Sequence, residues 1–368
     1  MPLFETVFQE KPAIVMEIGS AYTKIGFCGE AHPRFILPTE IESIRDVLMK
    51  TEKNLYDQAV DFFNKIFFDY LLVSPKDRKI SFVESTIATP TIIRECFAKV
   101  LFHHYEVASI LFLPLHLVSL STLAIDTALV VDIGYKEAVV IPVFNGVQIL
   151  KAWQAQPLGG ESVHDEIKAS LILNGVKEEI LSERVIEDIK VRTCFVTKQS
   201  RALAHRNNES LQSCPDVDYP VDGSDVIKIP GNLREFAFEV LFPEDNDHLG
   251  LPYIIIDAII KCPVDARKEL AENILLIGGT SSIMGIKPRL RDELRSLIKS
   301  DFYKDRLYID DVKFHNAPAK PNFTGWLGGS IYSATDLISN SITRENYLKH
   351  PKIPDWIFYD GSSTRTQG

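Results

Sequence analysis

The sequence predicts an α/β protein of two lobes, and three observations lead there. From Lys11 onward, short β-branched runs alternate with longer stretches of helical periodicity, the pattern of strands set between helices. One device, a buried strand, a sharp acidic turn and a second strand, occurs twice, as IVMEIGSAYTKIGF (14–27) and VVDIGYKEAVV (130–140). The chain of 368 residues, 45% hydrophobic and 24% charged, suffices for two cores of ordinary size. The first lobe is expected over 11–155 and the second over 156–345, with 346–368 a tail.

The elements follow in order. AIVMEIG and KIGFCGE make a hairpin, and NLYDQAVDFFNKIFFDYLLV (54–73) spaces its apolar residues three and four apart, as an amphipathic helix does. KISFVES (79–85) is a strand. TPTIIRECFAKVLFHHYEV (89–107) opens with Thr-Pro and continues with helical period. Next come strand ASILFL (108–113), a helix over 115–124 and strand ALVVDIG (128–134). In KEAVVIPVFNGVQILKAW the pair Asn145-Gly146 lies between apolar runs, a strong hairpin signal.

The second lobe opens at PLGGESVHDEI (157–167), a glycine turn feeding a helix. It continues through VIEDIKVRTCFV (185–196), a polar stretch over 206–225, and the helix and strand DARKELAENILLIGGTSS (265–282). GWLGGSIYSATDLIS (325–339) gives a last Gly-Gly turn and a helix over 323–339 that packs back toward the first lobe.

Charge and cysteine usage narrow the partners. Fifty acidic against forty basic residues give a net charge of -10, which argues against nucleic acid and anionic membrane surfaces. The five cysteines, Cys28, Cys96, Cys194, Cys214 and Cys262, are far apart and lack metal-site spacing, so they read as buried thiols of a reducing cytosol. MPLFETVFQEKP has no long apolar core and does not read as a signal peptide. The apolar run 109–125 contains Pro114 and His116, so it reads as a strand entering a core helix and not as a membrane span.

The paired turns suggest chemistry. A turn after a buried strand leaves backbone N–H groups outward, and the glycines Gly19 and Gly134 let a phosphate approach them. The acids Glu17 and Asp132 at the strand ends suit the hydrated magnesium that accompanies a nucleotide, held through waters. Ser20 and Lys24 add donors, and two such turns across a cleft would grip one phosphate tail. A third segment, ILLIGGTSSIMG (274–285), runs a strand into Gly278, Gly279 and Thr280, placed to meet the adenosine end. Each turn alone reads more readily as a tight hairpin; the pair and the third loop favour a nucleotide with Mg.

The order of these segments resembles actin. MEIGSAYTKIGFCGE resembles its first phosphate loop, VVDIGYKEAVVIP its second, DIKVRTCFV its nucleotide-clamping helix and LIGGTSSIMG its adenosine loop. The likeness runs from about Ala13 to Tyr347 and implies an actin-like two-lobed fold with a nucleotide cleft, with Lys190 a further nucleotide contact. It also marks departures. Leu115 and Val139 stand where actin-like ATPases carry the glutamine and histidine that order the attacking water, and neither can orient water or take its proton. His116, one residue on, points about 100° away on a helix and reads as a structural or surface histidine. Glu17 replaces an aspartate, Tyr135 an acid, Val191 a ribose-binding glutamate, Glu161 an arginine and Asn322 an adenine-side lysine. The resemblance therefore implies a nucleotide cradle without hydrolytic residues, and no enzyme.

Around 31–55 the chain is markedly shorter than actin would be, in the small outer subdomain whose loop inserts into the next filament subunit. With CPDVDYPVDG (214–223), VRTCFVTKQSRAL, GWLGG and KIPDW (352–356), it resembles the divergent actin-related proteins at the pointed end of dynactin. That likeness implies a cytoplasmic, cytoskeleton-associated filament terminator. Its partners would be an actin-related filament subunit and the other pointed-end subunits, with no nucleic acid and no membrane span. Two other readings stay open: an active ATPase or kinase of the same superfamily, which needs a base in the cleft, and a chromatin-remodeller subunit.

Overall fold

A computed structural model describes residues 11–41, 52–85, 87, 90–221, 225–243, 250–335 and 340–353. The chain divides into two compact units, residues 1–124 with 323–368, and residues 125–322. The break thus falls at Ala124/Ile125 and not at 155/156, and a second break at Asn322/Phe323 returns the chain to the first unit. The strands after Ala124 decide this, because they pair with a late strand of the second unit, as described below. Ala124 itself adopts a positive φ of 54°.

The first unit is built on a mixed sheet. Strands β1 (Ile14–Ile18), β2 (Tyr22–Phe27), β3 (Phe35–Pro38), β4 (Lys79–Glu84) and β5 (Ser109–Pro114) are joined by the short strand Ile342–Thr343. The order across the sheet is Ile342–Thr343, β5, β4, β1, β2, β3. β1, β4 and β5 run parallel, while β2 turns back antiparallel on β1. Helix α1 (Glu52–Asn64) covers one face with Phe63, whose ring lies against Phe67, Phe82, Phe97 and Tyr105.

Three predicted helices of this unit change form part-way. α1 continues as a π-helical turn over Lys65–Tyr70, and α2 (Thr91–Lys99) continues as another over Val100–His104. The helix expected over 115–124 is one α turn, α3 (Leu115–Val118), followed by 3₁₀ geometry over Ser119–Thr122. Hydroxyls explain the last case: Ser119 and Thr122 donate to carbonyls three residues back, at 2.9 and 2.7 Å, which competes with the α ladder. The apolar run 109–125 is therefore strand then helix. Among the described residues no helix is long and apolar enough to cross a membrane.

A closing helix, Thr324–Ser333, packs on β1, α3 and β4. Trp326 is fully buried and its Nε1 donates to Val15 O at 3.0 Å. The glycines of this helix permit the approach: a first side-chain carbon at Gly328 would lie 2.1 Å from Val118 O, and at Gly329 2.1 Å from Val83 Cγ2. Residues 336–339, 42–51 and 354–368 lie outside the described ones, so the ends of the predicted 323–339 helix, of the shortened region 31–55, of KIPDW and of the tail fall there.

The second unit has its own sheet. β6 (Ala128–Ile133) pairs antiparallel with β7 (Ala138–Phe144), which also carries β8 (Val147–Gln148) and β9 (Gln154–Gln156). Asn145 and Gly146 both take positive φ, 50° and 74°, as a two-residue hairpin turn requires. Within the polar stretch 206–225 begins a hairpin that patterning missed, β10 (Val217–Val221) with β11 (Asp225–Ile229); Asp, Pro and Gly mask its alternation. β12 (Ile274–Ile277) runs parallel to β6, with Ile277 beside Asp132. Helices α4 (Gly160–Leu173), α5 (Glu183–Thr193), α6 (Leu251–Lys261), α7 (Val264–Glu272) and α8 (Ile286–Lys299) enclose a core in which Ile167, Ile189, Ile255, Leu270 and Leu290 are fully buried.

Candidate functional site

Of the predicted site residues, Glu17, Gly19, Ser20, Lys24 and Leu115 fall in the first unit. Asp132, Gly134, Val139, Lys190, Gly278, Gly279 and Thr280 fall in the second.

In the first unit the β1–β2 turn is tightly fixed. Gly19 N donates to Tyr22 O at 3.1 Å, and Thr39 Oγ1 donates to Gly19 O at 2.8 Å while meeting Thr23 Oγ1 at 2.8 Å. Glu17 and Lys24 are register partners across the two strands. Their side chains, both largely buried, form an ion pair between Nζ and Oε1. The lysine predicted as a phosphate donor is thus held by the acid predicted as a metal contact. Glu17 Oε2 is buried without a partner among the described residues. A first side-chain carbon at Gly325 would come 3.4 Å from it and 2.0 Å from Leu115 Cδ1. A carboxylate oxygen left this way suits a donor such as a metal-held water, so the first turn fits a hydrated Mg²⁺ through Glu17.

His116 is completely buried, and neither ring nitrogen has a partner among the described residues. Burial pushes its pKa down to about 3, so the ring is a neutral core group and no proton acceptor near neutral pH. Of the structural and surface readings, the structural one holds. Leu115 is buried beside the closing helix. Val139, buried mid-sheet, is flanked by Asp132 on one side and Ala155 on the other.

In the second unit the β6–β7 turn, the loop after β12 and the start of α4 hold one another. Gly278 takes φ +91°, and a side chain there would start 2.4 Å from Asp132 Oδ1 and 2.4 Å from Ile133 O; only glycine permits this contact. Thr280 Oγ1 donates to Gly134 O at 2.7 Å, and Gly160 N reaches the same carbonyl at 3.1 Å. Glu161 N donates to Tyr135 O at 2.8 Å. The first two N–H groups of α4 are therefore spent on the β6–β7 turn and are not open to an anion.

Tyr135 and Lys190 join a side-chain network that sequence reasoning missed. Tyr135 Oη donates to Glu183 Oε1 at 2.9 Å and lies 3.5 Å from His164 Nδ1. Lys190 Nζ donates to Glu187 Oε2 at 2.5 Å, and His164 Nε2 lies 2.8 Å from that oxygen and 2.9 Å from Nζ. Burial alone would raise the Glu187 carboxyl, but the His164 hydrogen bond and the Lys190 charge outweigh it and hold the pKa at about 2. The available signal was the spacing of Glu183, Glu187 and Lys190 along one helical face. Val191 is 60% exposed, and Asn322 Oδ1 is buried without a partner among the described residues. Among the described residues no cluster of three or more His, Cys, Asp or Glu side chains could hold a bare metal ion.

Comparison with known proteins gives the family. The family model described as Actin matches residues 53–180 and 177–352. Actin-related protein 10 of Dictyostelium discoideum is 31% identical over 431 aligned positions, which cover 94% of this chain and 89% of that protein. With a family match that enters both units and a relative aligned along nearly its whole length, the chain belongs to the actin family.

Proposed function

We propose that the protein is a non-hydrolysing structural subunit that ends the actin-related filament of dynactin at its pointed end and scaffolds the pointed-end complex for dynein-driven transport. The observation that carries this is the brevity of the connection from β3 to α1, thirteen residues between Pro38 and Glu52. A head-to-tail filament grows only if each subunit offers the same two complementary surfaces. A subunit whose outer region is this short joins through one face and presents a different one to the next copy.

The absence of catalysis rests on Leu115, Val139 and the neutral, enclosed His116, none of which can order or deprotonate a water. Any ATP or ADP with Mg is then structural. The partners are an actin-related filament subunit and the other pointed-end subunits, in the cytoplasm.

Negative-stain electron microscopy of the purified full chain, alone and with short actin-related filaments, tests the reading. Monomers alone, and density at one filament end, are expected. Long homopolymers, or decoration along filament sides, would rule it out.

A further inference from the structure

Lys190 lies beside the loops of the second unit yet is not available to them. Its side chain is 9% exposed and shares the oxygen of Glu187 with His164. Gly160 is closely packed: a first side-chain carbon there would lie 3.1 Å from Tyr135 Cδ2, 3.3 Å from Thr280 Oγ1 and 3.5 Å from Lys190 Nζ. The ammonium has three donors and Glu187 takes one; His164 Nε2, 2.9 Å away, accepts another only in the tautomer that does not donate to Glu187. Glu187 itself is 28% exposed, so a second anion brought to Nζ would meet a carboxylate already in place. The arrangement is anchored at its far end, since Tyr135 fixes His164 and is fixed in turn by Glu183. Rotating Glu187 away would strip two partners, Lys190 and His164, at once.

We infer that Glu187 is a resident counter-anion that withholds Lys190 from phosphate-bearing ligands and sets a low affinity for them on this side of the candidate site. The inference rests on the reading of Lys190 and the neighbouring loops as nucleotide-binding. It adds a regulatory element, an internal carboxylate in the position of the ligand's own charge. A like charge a few ångströms from a phosphate in a partly enclosed site opposes binding strongly.

Isothermal titration of the full chain with Mg-ATP, and separately with inorganic pyrophosphate, tests it in wild type, Glu187→Gln, Glu187→Gln/Lys190→Gln and His164→Asn. Glu187→Gln should bind both probes about tenfold tighter than wild type or better, and the double variant should lose that gain. His164→Asn, which leaves the Glu187–Lys190 pair intact, should show no gain. Glu187→Met, of similar bulk and uncharged, repeats the measurement if Glu187→Gln does not fold. Wild-type binding with no gain in a folded Glu187 variant, or a gain that survives loss of Lys190, overturns the inference alone. Absence of binding in every variant overturns the nucleotide reading and the inference with it.

Discussion

Glu17 and Lys24 face each other across the β1–β2 ladder and neutralise one another, leaving Glu17 Oε2 buried and without a partner among the described residues. Removing one member of such a pair leaves the other charge stranded, while removing both is far milder. Glu17→Gln should therefore cost roughly 2 kcal/mol, below the cost of breaking a fully enclosed pair. Glu17→Gln/Lys24→Met should recover most of that loss. Urea unfolding followed by circular dichroism measures both; equal destabilisation by single and double variants would contradict the pairing.

Acid sensitivity should trace to His116. Burial depresses its folded pKa to about 3, against about 6.5 in an unfolded chain. Between those values the unfolded state binds the extra proton, so this contribution is complete above pH 6.5 and is lost progressively as pH falls toward 3. His116→Leu should flatten the slope of stability against pH between 6 and 4 by up to about 1.4 kcal/mol per pH unit. An unchanged slope would place the acid sensitivity elsewhere.

The closing helix should tolerate no side chain at its contact with α3. Gly328→Ala puts a methyl group 2.1 Å from Val118 O, a backbone atom that cannot rotate away. A loss of about 2 kcal/mol or more is expected. A thermal scan showing a melting temperature within a degree or two of wild type would contradict this.

Phosphate release should be absent. With Leu115 and Val139 buried and apolar, a site lacking water-ordering groups falls short of an active one by at least about 100-fold. A colorimetric phosphate assay on purified protein with Mg-ATP checks this, and turnover at the rate of ordinary actin would overturn it.

The parts of the fold that were legible in the sequence are the local ones. The Asn145-Gly146 turn and the strand runs each carry their reason within a few residues, whereas the Gly-Gly pair at 328–329, expected as a turn, lies inside the closing helix and is set by contacts with the distant Val118 and Val83. The unit boundary was not legible, because β6 takes its parallel partner β12 from about 145 residues further along, and no local pattern reports such a pairing. The helices that widen or tighten part-way were equally hidden: an apolar period near 3.6 persists through one π turn. In the site, the loops could be read from their glycines. The Tyr135–His164–Glu187–Lys190 network could not, since it joins side chains from a turn and two helices whose approach only tertiary packing establishes.

The closing helix has a further consequence for how the protein is made. The second unit is one uninterrupted stretch, 125–322, whereas the first needs residues from 323 onward to seal β1, β4 and α3. As the chain leaves the ribosome, the inner stretch can complete its core while the earlier strands still expose the surface that Trp326 will later cover. Those strands wait, at 5–20 residues per second, for about the time needed to synthesise the intervening 200 residues, on the order of 10 to 40 seconds. For that interval an unfinished apolar face is open to the crowded cytosol, and a nascent chain halted before Trp326 should be the species that a chaperone holds.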